Sequence, residues 1–231
     1  MMASPNAPNT GHGARVVVFA KAPQPGVAKT RLIPALGAQG AASLARRMLT
    51  HALEQALAAK LGPVELCMSP GPEDPLWADV AIPDSIERSA QGDGDLGQRM
   101  ARAVERVSAS HGENAILVGT DCPSLSVARL TEAARMLAQH DVVILPASDG
   151  GYVLIGMKTP CPEIFTNMPW STSAVAALTL ARLSKLGMRV WQGQTLHDID
   201  EPADLVHLPA TLLHEDLKYL YQEQVIGAPH E

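Results

Sequence analysis

The sequence predicts an α/β fold: one domain built on a mostly parallel sheet with helices on both faces. Three observations predict it. Short apolar runs alternate along the chain with stretches of helical periodicity. The runs are apolar throughout, as strands covered on both faces are. Polar and glycine-containing clusters follow several of the runs directly, which is where open α/β sheets hold their ligands.

Taken in order, residues 1–14 are rich in Asn, Pro, Gly and Ser and form an expected disordered leader. Arg15, Val16, Val17, Val18, Phe19 and Ala20 make the first strand. A loop at 21–34 leads into a long helix on which Leu49, Leu53, Leu57 and Leu61 recur at every fourth position. Pro63 introduces a strand at 64–68, and four prolines keep 69–84 as loop. A helix starts near Asp95, with Leu96, Met100, Ala103 and Val107 on one face. Strand 115–118, the turn 119–124 and a helix carrying Val127, Leu130, Ala134 and Leu137 follow. Strands at 141–146 and 152–157 flank the turn Ser148-Asp149-Gly150-Gly151; an Ala-rich helix covers 173–186, and 188–191 is the last strand. No repeat or composition break divides 15–210. The helical tail 211–231, with Leu213, Leu217, Leu220 and Tyr221, serves either the core or a homodimer contact.

Hydrophobic residues are 46% of the chain and aromatics only 3%, so Ala, Val and Leu carry the packing. A net charge of −6 argues against nucleic acid and anionic membrane as partners. No apolar run approaches the roughly 18–20 residues that span a bilayer, and no signal peptide is evident, so a cytoplasmic location is expected. Cys67, Cys122 and Cys161 are too sparse for a disulfide framework or a zinc site.

The first loop places Lys21, Lys29 and Arg31 around Gly26. It is not a Walker A loop, because Ala28 rather than glycine precedes Lys29. Either Gly26 lets the backbone approach a diphosphate that Lys29 and Arg31 neutralise, or the loop is merely solvated; its place after the first strand favours the former. Gly119-Thr120-Asp121 ends a buried strand, where a carboxylate binds Mg²⁺ or Mn²⁺ or caps the next helix. Asp198 and Asp200 lie two apart, on one side if extended. Either completes the metal's coordination, and Asp200 alternatively caps a helix with Pro202 in its first turn. Gly92, Asp93 and Asp95 lie in a second Gly-rich loop opening a helix, where Asp93 and Asp95 oppose an anion and are instead candidates for ribose, base or acceptor contact. Asp149 is an acceptor-orienting residue, a base or a turn former, with Gly150 and Gly151 permitting close approach. Ser171 and Thr172 stand at a helix start as candidate substrate contacts.

The motifs Phe19-Ala-Lys-Ala-Pro-x-Pro-Gly-x-x-Lys-Thr-Arg-Leu32, Gln91-Gly-x-Gly-Asp-Leu-Gly-x-Arg-Met100, Gly119-Thr-Asp-Cys-Pro123, Asp149-Gly-Gly-Tyr-x-Leu-Ile-Gly156, Pro169-Trp-Ser-Thr172 and Asp198-Ile-Asp-x-Pro-x-Asp-Leu205 form an ordered set over residues 15–206. As a set they resemble a bacterial family of small transferases long labelled a domain of unknown function. That family is related to 2-phospholactate guanylyltransferase and molybdenum cofactor guanylyltransferase. The resemblance implies the Rossmann-like nucleotide-diphospho-sugar transferase (GT-A) fold, with a divalent metal on Asp121. Within that fold the expected nucleotide contacts are Lys21, Gly26, Lys29, Arg31, Gly92, Asp95, Gly119 and Thr120, and the expected acceptor contacts Gly150, Gly151, Ser171 and Thr172.

Two chemistries fit that fold. A nucleoside triphosphate can pass its nucleotidyl group to a small phosphorylated acceptor, or a nucleotide sugar can pass its sugar to a hydroxyl. Gly119 stands where many glycosyltransferases carry the first aspartate of Asp-x-Asp, which favours nucleotidyl transfer with Lys29, Arg31, Asp121 and Asp149 as the catalytic set. A nucleotide-binding protein without catalysis is the third reading.

Overall fold

Valine-rich β1 (Ala14–Lys21) is an interior strand of a seven-stranded sheet in a computed structural model that describes residues 13–212. The elements run β1, α1 (Ile33–Ala59), β2 (Val64–Ser69), β3 (Glu87–Ala90), α2 (Leu96–His111), β4 (Asn114–Val118), α3 (Val127–Leu137), β5 (Val142–Pro146), β6 (Tyr152–Met157), α4 (Val175–Lys185) and β7 (Val190–Gln192). The strand order is β3-β2-β1-β4-β6-β5-β7. All pairings are parallel except those of β6, which runs antiparallel between β4 and β5.

Because side chains alternate across a strand, β1 feeds two cores. Val16 and Val18 join Leu49, Leu53 and Leu130 beneath α1 and α3. Val17 joins Met100, Val107 and Leu183 beneath α2 and α4. Each fully buried Val or Leu side chain contributes about 1.5–3 kcal/mol. A third cluster gathers Leu32, Leu44 and Met48 with Ile199, Leu205 and Leu208, and clamps the chain's last described segment onto α1.

Five features differ from expectation. β3 was not foreseen: Glu-Arg-Ser-Ala carries no apolar side chain larger than alanine, and it forms the sheet's edge with mostly exposed residues. The first helix leaves helical geometry at Gly37, where φ is 67° and ψ is 167°. It ends at Ala59, so Leu61 lies beyond it, accepting from the Ala14 amide. Leu96 is 44% exposed rather than core, since the first turn of α2 overhangs the sheet's end. β1 begins at Ala14, one residue inside the expected leader; residues 1–12 and the tail after Leu212 lie outside the described residues.

Candidate active site

The loops after β1, β3, β4 and β5, the segment before α4 and the stretch 196–200 enclose a cleft of about 700 Å³ at the carboxyl ends of the parallel strands. Of the residues singled out in the sequence, Lys21, Lys29, Arg31, Asp95, Gly119, Thr120, Asp121, Asp149, Gly151, Ser171, Thr172, Asp198 and Asp200 line it. Gly26, Gly92 and Gly150 do not. Gly26 makes the loop's turn, with φ at 75°. At Gly150 (φ 89°) a Cβ would sit 2.3 Å from the Ser173 carbonyl oxygen, so this glycine packs the turn against the start of α4.

The first loop folds on itself through amides of Val27 and Ala28 donating to the Gln24 carbonyl. Lys29 adopts a left-handed backbone, φ 52°, which turns its side chain inward until only 5% is exposed. Its ammonium lies 2.5 Å from Asp121 Oδ1 and 3.0 Å from Asp200 Oδ1, and also donates to the Ile199 carbonyl. Burial pulls this ammonium's pKa down, but the charges of Asp121 and Asp200 outweigh burial and leave it raised. Arg31 stays 61% exposed, 3.8 Å from both Asp200 and Glu201.

Backbone pairing delivers the acidic stretch. Leu196 donates to the Pro146 carbonyl and accepts from Ser148, which lays 196–200 beside the end of β5. Ile199, fully buried, donates to the Asp121 carbonyl at 2.8 Å. Asp198 and Asp200 flank it and both reach the cleft. Burial, followed by the charge of Asp149, pushes the Asp198 carboxyl up. Neither Asp121 nor Asp200 caps a helix: Ser126 stands at the start of α3, where Gln55 Oε1 accepts from the Val127 amide, and Glu201 with Asp204 forms the capping box over Pro202–His207. Asp149 Oδ1 accepts from the Gly151 amide at 2.7 Å, and Asp95 caps α2 through the Gln98 amide at 2.8 Å. Both therefore have turn or cap duties in addition to facing the cleft.

Gln91, Arg99, Val27 and Leu96 also line the cleft, although the sequence reading gave them no site role: Gln91 and Arg99 stood only in the second motif and Leu96 only on a helix face. Gln91 is 6% exposed and donates its amide to the Ala20 and Cys67 carbonyls. Val27 and Leu96 are exposed apolar side chains that line the same cleft. Leu96 fits the helical period of α2, so the sequence carries no signal that it faces the cleft.

The donor chemistry suits a hard divalent cation in kind. Asp121, Asp198 and Asp200 offer only oxygen, and Asp121 and Asp200 keep side-chain exposures of 50% and 42% toward the cleft. Among the described residues no trio of His, Cys, Asp or Glu forms a ready-made cage. Mg²⁺ needs none, since it is commonly held by one or two carboxylates together with substrate phosphates and water.

This fold and cleft define a transferase of the nucleotide-diphospho-sugar architecture. The chain belongs to the family described as an uncharacterized protein conserved in bacteria (DUF2064), matched over residues 49–172. It is similar to a solved protein from Desulfovibrio desulfuricans G20 provisionally named a nucleotide-diphospho-sugar transferase. The two share 27% identity over 93% of this chain and 96% of that one, at a TM-score of 0.80. CMP:2-keto-3-deoxy-manno-octonic acid synthetase, solved with CTP, shares the fold at 15% identity over 84% and 95% of the two chains, TM-score 0.53. Mycobacterium tuberculosis Rv0371c, solved with manganese, does so at 13% identity over 86% and 98%, TM-score 0.54. No curated protein matches the sequence. No helix among the described residues is long and apolar enough to cross a membrane.

Proposed function

We propose that the chain transfers a nucleotidyl group from a nucleoside triphosphate to a small phosphorylated acceptor, with Mg²⁺ or Mn²⁺. The observation that carries this reading is the meeting of Asp121, Asp198 and Asp200 with Lys29 in one cleft, from positions up to 171 residues apart. The single aspartate of the central turn, with Gly119 two residues before it, supports nucleotidyl over glycosyl transfer. The CTP and manganese complexes of the distant structural relatives are consistent with this reading.

In the reaction an acceptor phosphate oxygen attacks the α-phosphorus, a new P–O bond forms, the α–β bridge breaks and pyrophosphate departs. Asp121 and Asp200, with Asp198 beside them in the cleft, would hold the metal together with substrate phosphates and water, and it would supply charge neutralisation of the phosphates. Lys29 anchors Asp121 and Asp200 at a common point and adds a positive charge beside the phosphates. Arg31, exposed at the mouth, meets the triphosphate. Gly119 and Thr120 line the floor, and Gly151, Ser171 and Thr172 line the wall toward the acceptor. A phosphate acceptor is already ionised and needs no base, which leaves Asp149 to orient it.

A thermal-shift panel of triphosphates, diphosphates and nucleotide sugars, each with and without Mg²⁺ or Mn²⁺, tests this. Stabilisation reaches about 2.7 kcal/mol at a hundred times Kd. One triphosphate should shift the melt in a metal-dependent manner. A shift confined to a nucleotide sugar would instead establish glycosyl transfer, with Asp149 as the base.

A further inference from the structure

The geometry points to an anion subsite in this cleft, built on Arg99, oriented by Gln91 and joined by Lys21, that takes a phosphate or carboxylate group of the ligand. Four cations line the cleft: Lys21, Lys29, Arg31 and Arg99. Lys29 is committed to Asp121 and Asp200, and Arg31 stands near Asp200 and Glu201. Among the described residues, Lys21 and Arg99 alone of the four pair with no carboxylate.

Arg99 is half-buried and held rather than free. Its Nε donates to the Gly94 carbonyl at 2.8 Å and its Nη1 to Gln91 Oε1 at 3.4 Å. A guanidinium has five N–H donors, so three remain for a ligand. The Gln91 amide cannot turn over: its nitrogen donates to the Ala20 carbonyl at 3.1 Å and the Cys67 carbonyl at 3.0 Å, and a flip would set its one amide oxygen against both carbonyl oxygens. The oxygen of a buried amide is thereby fixed toward Arg99. Since Ala20 precedes Lys21, the same amide ties Arg99 to the end of β1.

Holding the loop does not require Arg99. Arg102, one turn further along α2, already donates to the carbonyls of Gln91 and Asp93. Asp95, the carboxylate nearest in sequence, spends its Oδ1 on the Gln98 amide. A pinned, half-buried arginine with no acid partner in a cleft is a receptor for a planar or tetrahedral oxyanion, which it binds with two parallel N–H bonds. Asp121, Asp149, Asp198 and Asp200 lie on other loops of the cleft, and Asp95 on this one is engaged in capping α2, so an anionic ligand finds its metal-free anchor here. The anion's source, nucleotide or acceptor, rests on the functional reading above; the existence of the subsite does not.

The test titrates pyrophosphate and inorganic phosphate calorimetrically in EDTA into the wild type, Arg99→Gln, Arg99→Lys, Lys21→Gln and Asp121→Asn. Pyrophosphate affinity should fall about ten-fold or more in Arg99→Gln, the loss that a charged hydrogen bond carries. It should fall less in Arg99→Lys and Lys21→Gln, and hold or rise in Asp121→Asn. Wild-type affinity in Arg99→Gln, or no binding of either anion by the wild type at millimolar concentration, overturns the subsite. Should Arg99→Gln fail to fold, unchanged binding by both Arg99→Lys and Lys21→Gln overturns it equally. Nucleoside triphosphates and the bare nucleosides are then titrated with Mg²⁺. Loss of triphosphate but not nucleoside affinity in Arg99→Gln assigns the anion to the nucleotide; unchanged triphosphate affinity assigns it to the acceptor. Arg99-dependent pyrophosphate binding without any triphosphate binding would keep the subsite and remove the functional reading.

Discussion

At the amino ends of the parallel strands, Arg15 is 2% exposed, with Glu87 at 2.6 Å, Glu113 at 2.9 Å and Glu65 at 3.9 Å. Arg106 closes the group by donating to Glu65 and to Ser89 Oγ. At the carboxyl ends of the same strands, Asp198 faces Asp149 with its carboxyl pushed up, and Arg99 and Lys21 have no acid partner among the described residues. Both ends are rich in charge. At one end every buried charge is matched, and the result is structure; at the other, charges are left over, and the surplus is what a charged ligand can use.

Substitutions at the two ends should therefore fail differently. Arg15→Met leaves Glu65, Glu87 and Glu113 without their common partner and should cost about 3–5 kcal/mol, read as a large drop in melting temperature. The nucleotide affinity of the folded fraction should stay unchanged; loss of that affinity with an intact melt would break the comparison. Lys29→Met strips the Ile199 carbonyl and two carboxylates of their donor and should cost about 1–3 kcal/mol, less than Arg15→Met, while also weakening triphosphate binding.

Asp198→Asn should act in the opposite sense. Its folded carboxyl holds a proton more tightly than the ordinary 3.8, so the native protein loses stability as pH rises from that value through the raised one. In EDTA at neutral pH the asparagine variant should melt higher, by roughly 2 °C, with the gain vanishing below the ordinary carboxylate range. With Mg²⁺ and triphosphate present the order should reverse. A lower melt in EDTA at neutral pH would show that Asp198 is matched after all.

The contrast explains what the sequence disclosed. Runs such as Val16-Val17-Val18 and Val142–Pro146 announce themselves because both faces are buried. Edge strand β3 shows nothing of the kind, since its residues are polar or small, mostly exposed, and held by backbone pairing and by polar partners such as Glu65 and Arg15. The cleft was legible as polar clusters after strands, but their internal pairing was not. Lys29 meets Asp200 across 171 residues, a contact set by the turn at Gly26, the left-handed backbone of Lys29 and the anchoring of Ile199. Leu96 fitted the helical period of α2 and yet faces the cleft, because periodicity does not record where a helix overhangs its sheet.

The most direct test of the functional end is calorimetric titration of each nucleoside triphosphate, with Mg²⁺ and with EDTA, into wild type and Asp121→Asn. One triphosphate should bind the wild type at least about ten-fold more tightly with the metal, and Asp121→Asn should lose that difference while melting within about 1 kcal/mol of wild type. Equal affinity with and without metal, or an undiminished metal effect in Asp121→Asn, would contradict the account.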